Sequence, residues 1–298
     1  MEIGIIGGGS LGLLYAFYLA KTNKITVYTR TEEQAKKISL EGIVVVKDHK
    51  QEVCSVHALP FSNWNGTEDL IIVTVKQYQL SNIIVELAKK RTVKKSSILF
   101  LQNGMSHVNL LNKLSNWNIF LGTVEHGAYR LNVNTVKHTG LGKTRVAIYQ
   151  GEVELLLQLL HHSDKSFPFI FEKNYETMLT KKLVANAVIN PLTAVLNVRN
   201  GELIENPQYY QVLTSLFFEI CKVLNLENEE KWLKHIMYIC KSTAKNQSSM
   251  LKDVLEGRQT EVDAILGYLL TEARKKQIEA PLINTFYLLV KGKSGPSK

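Results

Sequence analysis

The first thirty residues constrain this chain more than any other stretch. Glu2-Ile-Gly-Ile-Ile6 reads as a short buried strand carried by Ile3, Ile5 and Ile6. Gly7-Gly8-Gly9-Ser10-Leu11-Gly12 follows at once, Leu11 to Ala20 has helical character, and Lys24 to Tyr28 reads as a second strand. A Gly-x-Gly-x-x-Gly spacing carries meaning in that context, between a strand and a helix. Gly7 makes the tight turn, Gly9 lets a pyrophosphate approach the backbone, and Gly12 lets the helix pack close to the strand. The anion then rests on the free amides of the helix N-terminus. The stretch predicts an α/β fold that binds a dinucleotide, with Gly7, Gly8, Gly9, Ser10, Leu11 and Gly12 against the cofactor.

A site for NAD places Asp or Glu at the end of the second strand, to hold the ribose hydroxyls. Here that strand ends in Thr29-Arg30, with no acid. A guanidinium fork suits a 2′-phosphate, so Arg30 predicts NADP. Glu32 and Glu33 lie close by, and are read as the first turn of the next helix behind Thr31 as N-cap.

The chain has 298 residues, 45% apolar and 21% charged, which suits a soluble globular protein of two domains. Its net charge of +9 is spread along the sequence, without a basic tail or an RNA-binding signature. A diffuse positive field suits a polyanionic cofactor and a carboxylate substrate better than nucleic acid. Cys54, Cys221 and Cys240 lie too far apart in sequence to suggest a zinc site or a disulfide framework. Neither a signal-peptide pattern nor an apolar run of membrane-spanning length is present, so a cytoplasmic protein is expected.

Strands and helices alternate through the first half. A helix is expected over Glu32 to Glu41, then a small paired excursion of Ile43 to Val46 with Gln51 to Val56. Buried strands are expected at Leu70 to Val75, Ser97 to Leu101 and Ile119 to Val124, with a helix over Leu80 to Lys89. Val136-Lys137 and Thr144 to Tyr149 read as a pair joined across Thr139 to Gly142. A helix over Leu155 to His162 and a strand over Pro168 to Phe171 close the half. Beyond Glu172 the pattern is helical: Tyr175 to Leu196, Pro207 to Leu224, Glu229 to Thr243, Thr260 to Gln277 and Pro281 to Lys291, with a frayed tail from Gly292 to Lys298. The change of texture predicts two domains, 1–172 and 173–298.

Ligands of open α/β sheets bind beyond the carboxyl ends of the strands. Two such ends carry candidates. Lys76 either meets cofactor phosphate or ribose or is a solvated lysine. Asn103 offers both a donor and an acceptor, although Asn103-Gly104 is also a turn dipeptide. His126-Gly127-Ala128 ends a further strand and can reach a cofactor through its backbone.

In the helical half, Lys182, Asn186 and Asn190 are spaced four apart. Each step of four drifts only about 40° round a helix, so they form one stripe. Leu183, Val184, Ala187 and Val188 surround it, while Lys181 falls about 100° away. A lysine with two asparagines can bind a small anionic or hydroxylated ligand and supply a proton; the alternative is a solvent-facing polar edge. Pro191 is expected to kink or end the helix near Asn190. Further on, Asn246 to Met250 leads into a short helix. Thr260 to Asp263 resembles a capping box, with Glu261 in the first turn, where an acid also complements the helix dipole.

Taken in order, these motifs resemble the 2-dehydropantoate 2-reductase (ketopantoate reductase) family over nearly the whole chain. They are Gly7 to Gly12, Val75-Lys76-Gln77, Gln102-Asn103-Gly104-Met105, Lys182 to Thr193, Asn200-Gly201-Glu202-Leu203, Ser248 to Asp253, and Gly257 to Asp263. The resemblance implies a Rossmann-type dinucleotide-binding domain followed by an all-α domain like the C-terminal domain of 6-phosphogluconate dehydrogenase, with the active site in the cleft between them. It implies reduction of 2-dehydropantoate to (R)-pantoate by NADPH, in pantothenate and coenzyme A synthesis. Lys182 matches the lysine that protonates the new hydroxyl, and Glu261 the carboxylate that orients cofactor or substrate. Asn103, Asn186, Asn190, Asn200 and Ser249 match substrate-contacting positions, with Asn246 beside them. Arg30, Lys76, Asn103, Ala128 and Glu261 match cofactor positions. Glu125-His126 and Gln102 depart from the family's usual residues. A monomer or a homodimer, with no metal, no membrane and no nucleic acid, is expected.

The chemistry such a site needs is plain. Charge grows on the ketone oxygen as hydride arrives, and a lysine ammonium stabilises that charge and gives the proton. Two readings stand beside this one: a reductase of another branched 2-keto acid, and a non-catalytic NADP sensor that would not need Lys182 and Glu261 together.

Overall fold

The structure, a computed structural model, describes residues 1–89, 96–161 and 163–295. The elements of the first half are β1 (Glu2–Ile6), α1 (Ser10–Leu19), β2 (Lys24–Thr29), α2 (Glu32–Glu41), β3 (Ile43–Lys47), β4 (Lys50–Cys54), β5 (His57–Pro60), β6 (Leu70–Val73), α3 (Gln77–Lys89), β7 (Ser97–Phe100), β8 (Asn118–Val124), β9 (Gly127–Arg130), β10 (Thr135–Gly140), β11 (Thr144–Gln150), α4 (Glu154–His161) and β12 (Phe169–Phe171). Two compact units result: Met1–Gln102 with His107–Leu179, and Asn103–Ser106 with Thr180–Lys298.

In the first unit a parallel run of strands, β5-β2-β1-β6-β7-β8, continues into antiparallel β11 and then β12. The strand order reverses between β1 and β6. The glycine turn after β1 and Thr74-Val75-Lys76 after β6 therefore leave the sheet side by side, at the crevice where such sheets bind ligands.

α1 is apolar on every side, and every residue from Gly12 to Leu19 is buried. A helix of that kind needs cover all round. The main sheet lies on one side, and a second sheet, β4-β3-β10-β9, covers the rest. The hairpin of β3 and β4 is the expected excursion. It closes on Asp48 and His49, both at positive φ (47° and 64°).

The second sheet overturns one expectation. Val136-Lys137 and Thr144 to Tyr149 do not pair with each other. β10 pairs with β3 and β9, whereas β11 pairs with β8 and β12 in the main sheet. A glycine-rich turn reads locally as a hairpin, but these two strands belong to different sheets that face one core. The helix expected over Leu155 to His162 is α4, which ends at His161; His162 lies outside the described residues.

The second unit draws its helices from α5 (Tyr175–Leu196), α6 (Glu202–Glu205), α7 (Pro207–Leu224), α8 (Glu229–Ser242), α9 (Ser249–Leu255), α10 (Tyr268–Lys275) and α11 (Pro281–Lys293), with a π turn over Asp263–Gly267 leading into α10. Asn206 caps α7 by accepting from the amides of Gln208 and Tyr209, and Pro207 occupies the first helical position. The core packs α5 residues Leu183, Val184, Ala187, Val188 and Leu192 among Leu216, Phe217, Ile220 and Leu266.

Of the kink or end expected at Pro191 the end is not seen, and one further helix expectation fails. Pro191 does not end α5, which runs to Leu196 and stops at Asn197, in the left-handed region at φ 56°. Both flanks of Pro191 are buried, and the Thr193 hydroxyl donates to the carbonyls of Ile189 and Asn190, so packing outweighs the one amide donor lost. Thr260 and Asp263 do not form a capping box. The Thr260 hydroxyl pairs with that of Ser294 at 2.8 Å, and Asp263 accepts from Tyr287 and Lys291. Partners on and just beyond α11 outcompete the helix amides. Of the expected frayed tail, Gly292 and Lys293 extend α11, and 296–298 lie outside the described residues. Among the described residues, no helix is long and apolar enough to cross a membrane.

Candidate active site

The glycine turn is built by close approach. Gly7 has φ +115°, its amide donates to the Tyr28 carbonyl at 2.9 Å, and a Cβ on Gly12 would overlap the Gly7 carbonyl oxygen. A side chain at either position forces the turn apart. Nothing lies within 4 Å of where a Gly9 Cβ would stand. α1 starts behind Gly9 with no side-chain cap and no acid in its first turn, so its amides face outward unopposed. These are the features a pyrophosphate requires.

Two glutamines to which no sequence motif assigns a role hold this surface. Gln34 is buried, and its Nε2 donates to the carbonyls of Gly8 and Val133, both at 2.7 Å. Gln102 is buried too, and donates to the carbonyls of Val73 and Val75, which fixes the peptide leading to half-buried Lys76. Neither role shows in a local pattern, because each glutamine acts on backbone distant in sequence.

Arg30 is exposed immediately beyond β2. Thr31 caps α2 through a bond from the Gln34 amide, and Glu32 pairs with Lys36 at 2.9 Å. The acid beside Arg30 is thus taken up along its own helix. Ala128 sits half-buried on β9. His126 beside it is a core residue: it stacks on Phe167 with ring centroids 4.0 Å apart, and its Nδ1 accepts from the Gly142 amide. Burial, with His138 next to it, pushes the His126 pKa down to about 4. Glu125 pairs with Arg145 at 2.8 Å.

In the second unit the polar stripe exists as α5. Lys182 and Asn186 are half-buried and Asn190 is buried, while Lys181 is exposed and off the stripe. Neither Asn186 nor Asn190 uses its carboxamide for a hydrogen bond among the described residues. The segment Asn103–Ser106 belongs to this unit. Asn103 Nδ2 donates to Glu261 Oε2 at 2.8 Å, and Glu261 is buried. Gly104, at φ +79°, sits so close to the Ala264 carbonyl that a Cβ would collide with it. Asn103-Gly104 is therefore more than a turn: it carries a carboxamide onto a buried carboxylate.

Asn200 is buried and donates to Thr243 Oγ1 at 2.8 Å, and its amide donates to the Asn246 carbonyl at 3.1 Å. Its side-chain oxygen has no hydrogen-bond partner among the described residues. Asn246 is exposed on that turn. Ser249 is exposed as the first residue of α9, whose cap, Ser248, shares a hydroxyl–hydroxyl hydrogen bond with Thr193 of α5 at 2.7 Å. That bond ties the start of α9 to α5 one turn beyond Asn190. The structure thus joins Asn103 to Glu261 and Asn200 to Asn246, and ties the α9 start to the stripe helix.

The fold and turn define a Rossmann-type dinucleotide-binding protein with a helical second unit that carries a lysine–asparagine stripe. Residues 3–151 match the family profile described as ketopantoate reductase PanE/ApbA, and residues 174–294 match its C-terminal counterpart. The 2-dehydropantoate 2-reductase of Bacillus subtilis (strain 168) is 43% identical over 298 residues, covering 98% of this chain and 97% of that protein. That of Listeria innocua is 39% identical, covering 99% and 97%. A crystal structure of the probable 2-dehydropantoate 2-reductase of Bacillus subtilis superposes with a TM-score of 0.91 at 42% identity, over 99% of this chain and 100% of that one. The chain belongs to the ketopantoate reductase family.

Proposed function

We propose that this chain reduces 2-dehydropantoate to (R)-pantoate with NADPH, as a cytoplasmic enzyme acting as a monomer or homodimer. The observation that carries the reading is the Lys182–Asn186–Asn190 stripe on a helix otherwise packed in the core, in a chain 43% identical to a 2-dehydropantoate 2-reductase over its length. Residues 1–172 would hold the cofactor and 173–298 the substrate.

NADPH supplies, when bound, the hydride for the C2 ketone. Gly7, Gly8, Gly9, Ser10, Leu11 and Gly12 cradle its pyrophosphate. Arg30 pairs with the 2′-phosphate, and Lys76 and Ala128 border the same crevice. Lys182 donates a hydrogen bond to the ketone oxygen, stabilises the charge that grows there and delivers the proton. Asn186 and Asn190 orient the keto acid along the stripe, and the unmatched oxygen of Asn200 accepts from a substrate hydroxyl, with Asn246 and Ser249 beside it. Glu261 holds the Asn103 carboxamide so that both can meet the cofactor ribose and the substrate.

The test is NADPH oxidation with 2-dehydropantoate, against NADH and against other branched 2-keto acids, for wild type and Lys182→Ala. Turnover confined to NADPH and 2-dehydropantoate, with kcat reduced at least roughly 100-fold in the variant, is expected, since a lost general acid costs about that much. Turnover of a different keto acid would move the substrate assignment. Tight NADPH binding without turnover of any keto acid would favour a sensor.

A further inference from the structure

We propose that Arg130 is a further cofactor-binding residue, a cation that meets the pyrophosphate of the dinucleotide rather than its 2′-phosphate. The assignment rests on the cofactor reading above. Arg130 ends β9, in the sheet that covers α1. Side chains alternate along a strand, so Arg130 shares a face with Ala128, the other β9 residue assigned to the cofactor.

Its guanidinium lies on the glycine turn itself: Nη1 donates to the Gly8 carbonyl at 3.4 Å. That bond is long, and the acceptor does not need it, because Gln34 Nε2 already holds the same oxygen at 2.7 Å. A guanidinium has five N–H donors. Among the described residues Arg130 makes no other side-chain hydrogen bond and no ion pair. Several other cations of this unit pair with carboxylates: Lys21 with Asp164, Lys24 with Glu2, Lys36 with Glu32, Arg145 with Glu125.

An exposed arginine with idle donors thus borders the turn whose amides, at an uncapped and acid-free helix start, face outward. The turn's partial positive charge does not match the two full charges of a pyrophosphate. A planar fork beside it supplies the missing cation with suitable geometry.

The target separates Arg130 from Arg30. NADPH and NADH share the pyrophosphate, and only NADPH has the 2′-phosphate. Dissociation constants for both cofactors, measured by nicotinamide fluorescence without substrate, are compared for wild type, Arg130→Ala, Arg130→Gln and Arg30→Ala. Arg130→Ala is expected to weaken both cofactors by one common factor, roughly ten-fold, in line with loss of a charge-assisted bond. Arg30→Ala should weaken NADPH alone. Arg130→Gln retains a donor for the Gly8 carbonyl without the charge, and should bind as poorly as Arg130→Ala. An unchanged melting temperature in each variant would show that the turn remains folded.

The assignment is overturned if Arg130→Ala binds both cofactors as wild type does, if its loss is confined to NADPH, or if Arg130→Gln restores binding. A wild type that binds neither dinucleotide would overturn the cofactor reading and this assignment with it, a result distinguishable from the other three.

Discussion

Gly12 leaves the least room for substitution in the glycine turn. Its missing Cβ is where the Gly7 carbonyl sits, so even a methyl group must push α1 away from β1. Gly12→Ala is expected to lower the melting temperature and to abolish NADPH binding in one step, which calorimetry with and without cofactor would reveal. Glu261 and Asn103 form the other tight pair, at 2.8 Å. Asn103→Ala leaves a buried carboxylate short of a hydrogen bond, at a cost of about 1–3 kcal/mol. It should lower kcat/KM and shift the urea midpoint together, whereas Asn186→Ala, whose carboxamide makes no hydrogen bond among the described residues, should lower kcat/KM alone. Residue types and their spacing make most of the proposed site legible in the sequence: the stripe on α5 follows from a step of four. Gln34, Gln102 and the Asn103–Glu261 contact were not legible, because each joins segments far apart in sequence.

Among the elements, the β3–β4 hairpin turns through Asp48 and His49, both in the left-handed region that glycine favours. His49→Gly is expected to stabilise the chain by about 0.5–1 kcal/mol, readable as a higher urea midpoint at constant slope. Ser248 does two jobs: it caps α9 at the Leu251 amide, 3.1 Å away, and pairs with the Thr193 hydroxyl of α5. Ser248→Ala should cost about 1–2 kcal/mol as a lost cap. If the tie also aligns Ser249 with the stripe, KM for the keto acid rises while NADPH binding stays constant. Helices were legible where caps or turn residues mark them, as with Thr31 and Asn206. At Pro191 packing carries the helix on where an end was one of two expected outcomes, and Thr260 was misread because side chains at the end of α11 override the local signal.

For the molecule as a whole, acid is the expected weak point. Burial holds the pKa of His107 and of His126 down at about 4, and neither His107 ring nitrogen has a hydrogen-bond partner among the described residues. Well above about pH 6.5, the ordinary histidine value, both groups are neutral, folded or unfolded. As pH falls below that value, the unfolded chain takes up protons that the folded chain refuses until about pH 4. Stability should therefore fall across that window and level off beneath it, with His107 contributing on the order of 3 kcal/mol. Urea titrations across that window would trace the slope, and His107→Leu should flatten it.

The sequence alone determined the dinucleotide turn, the two-part organisation and the polar stripe, because each is written in residues close together, where strand and helix periods and glycine sterics act. Only the tertiary structure decided which strands share a sheet, what covers α1, and which side chains hold the glycine turn and Glu261. A buried apolar face or a lone carboxamide specifies that it needs a partner, but the partner is chosen by how the whole chain packs.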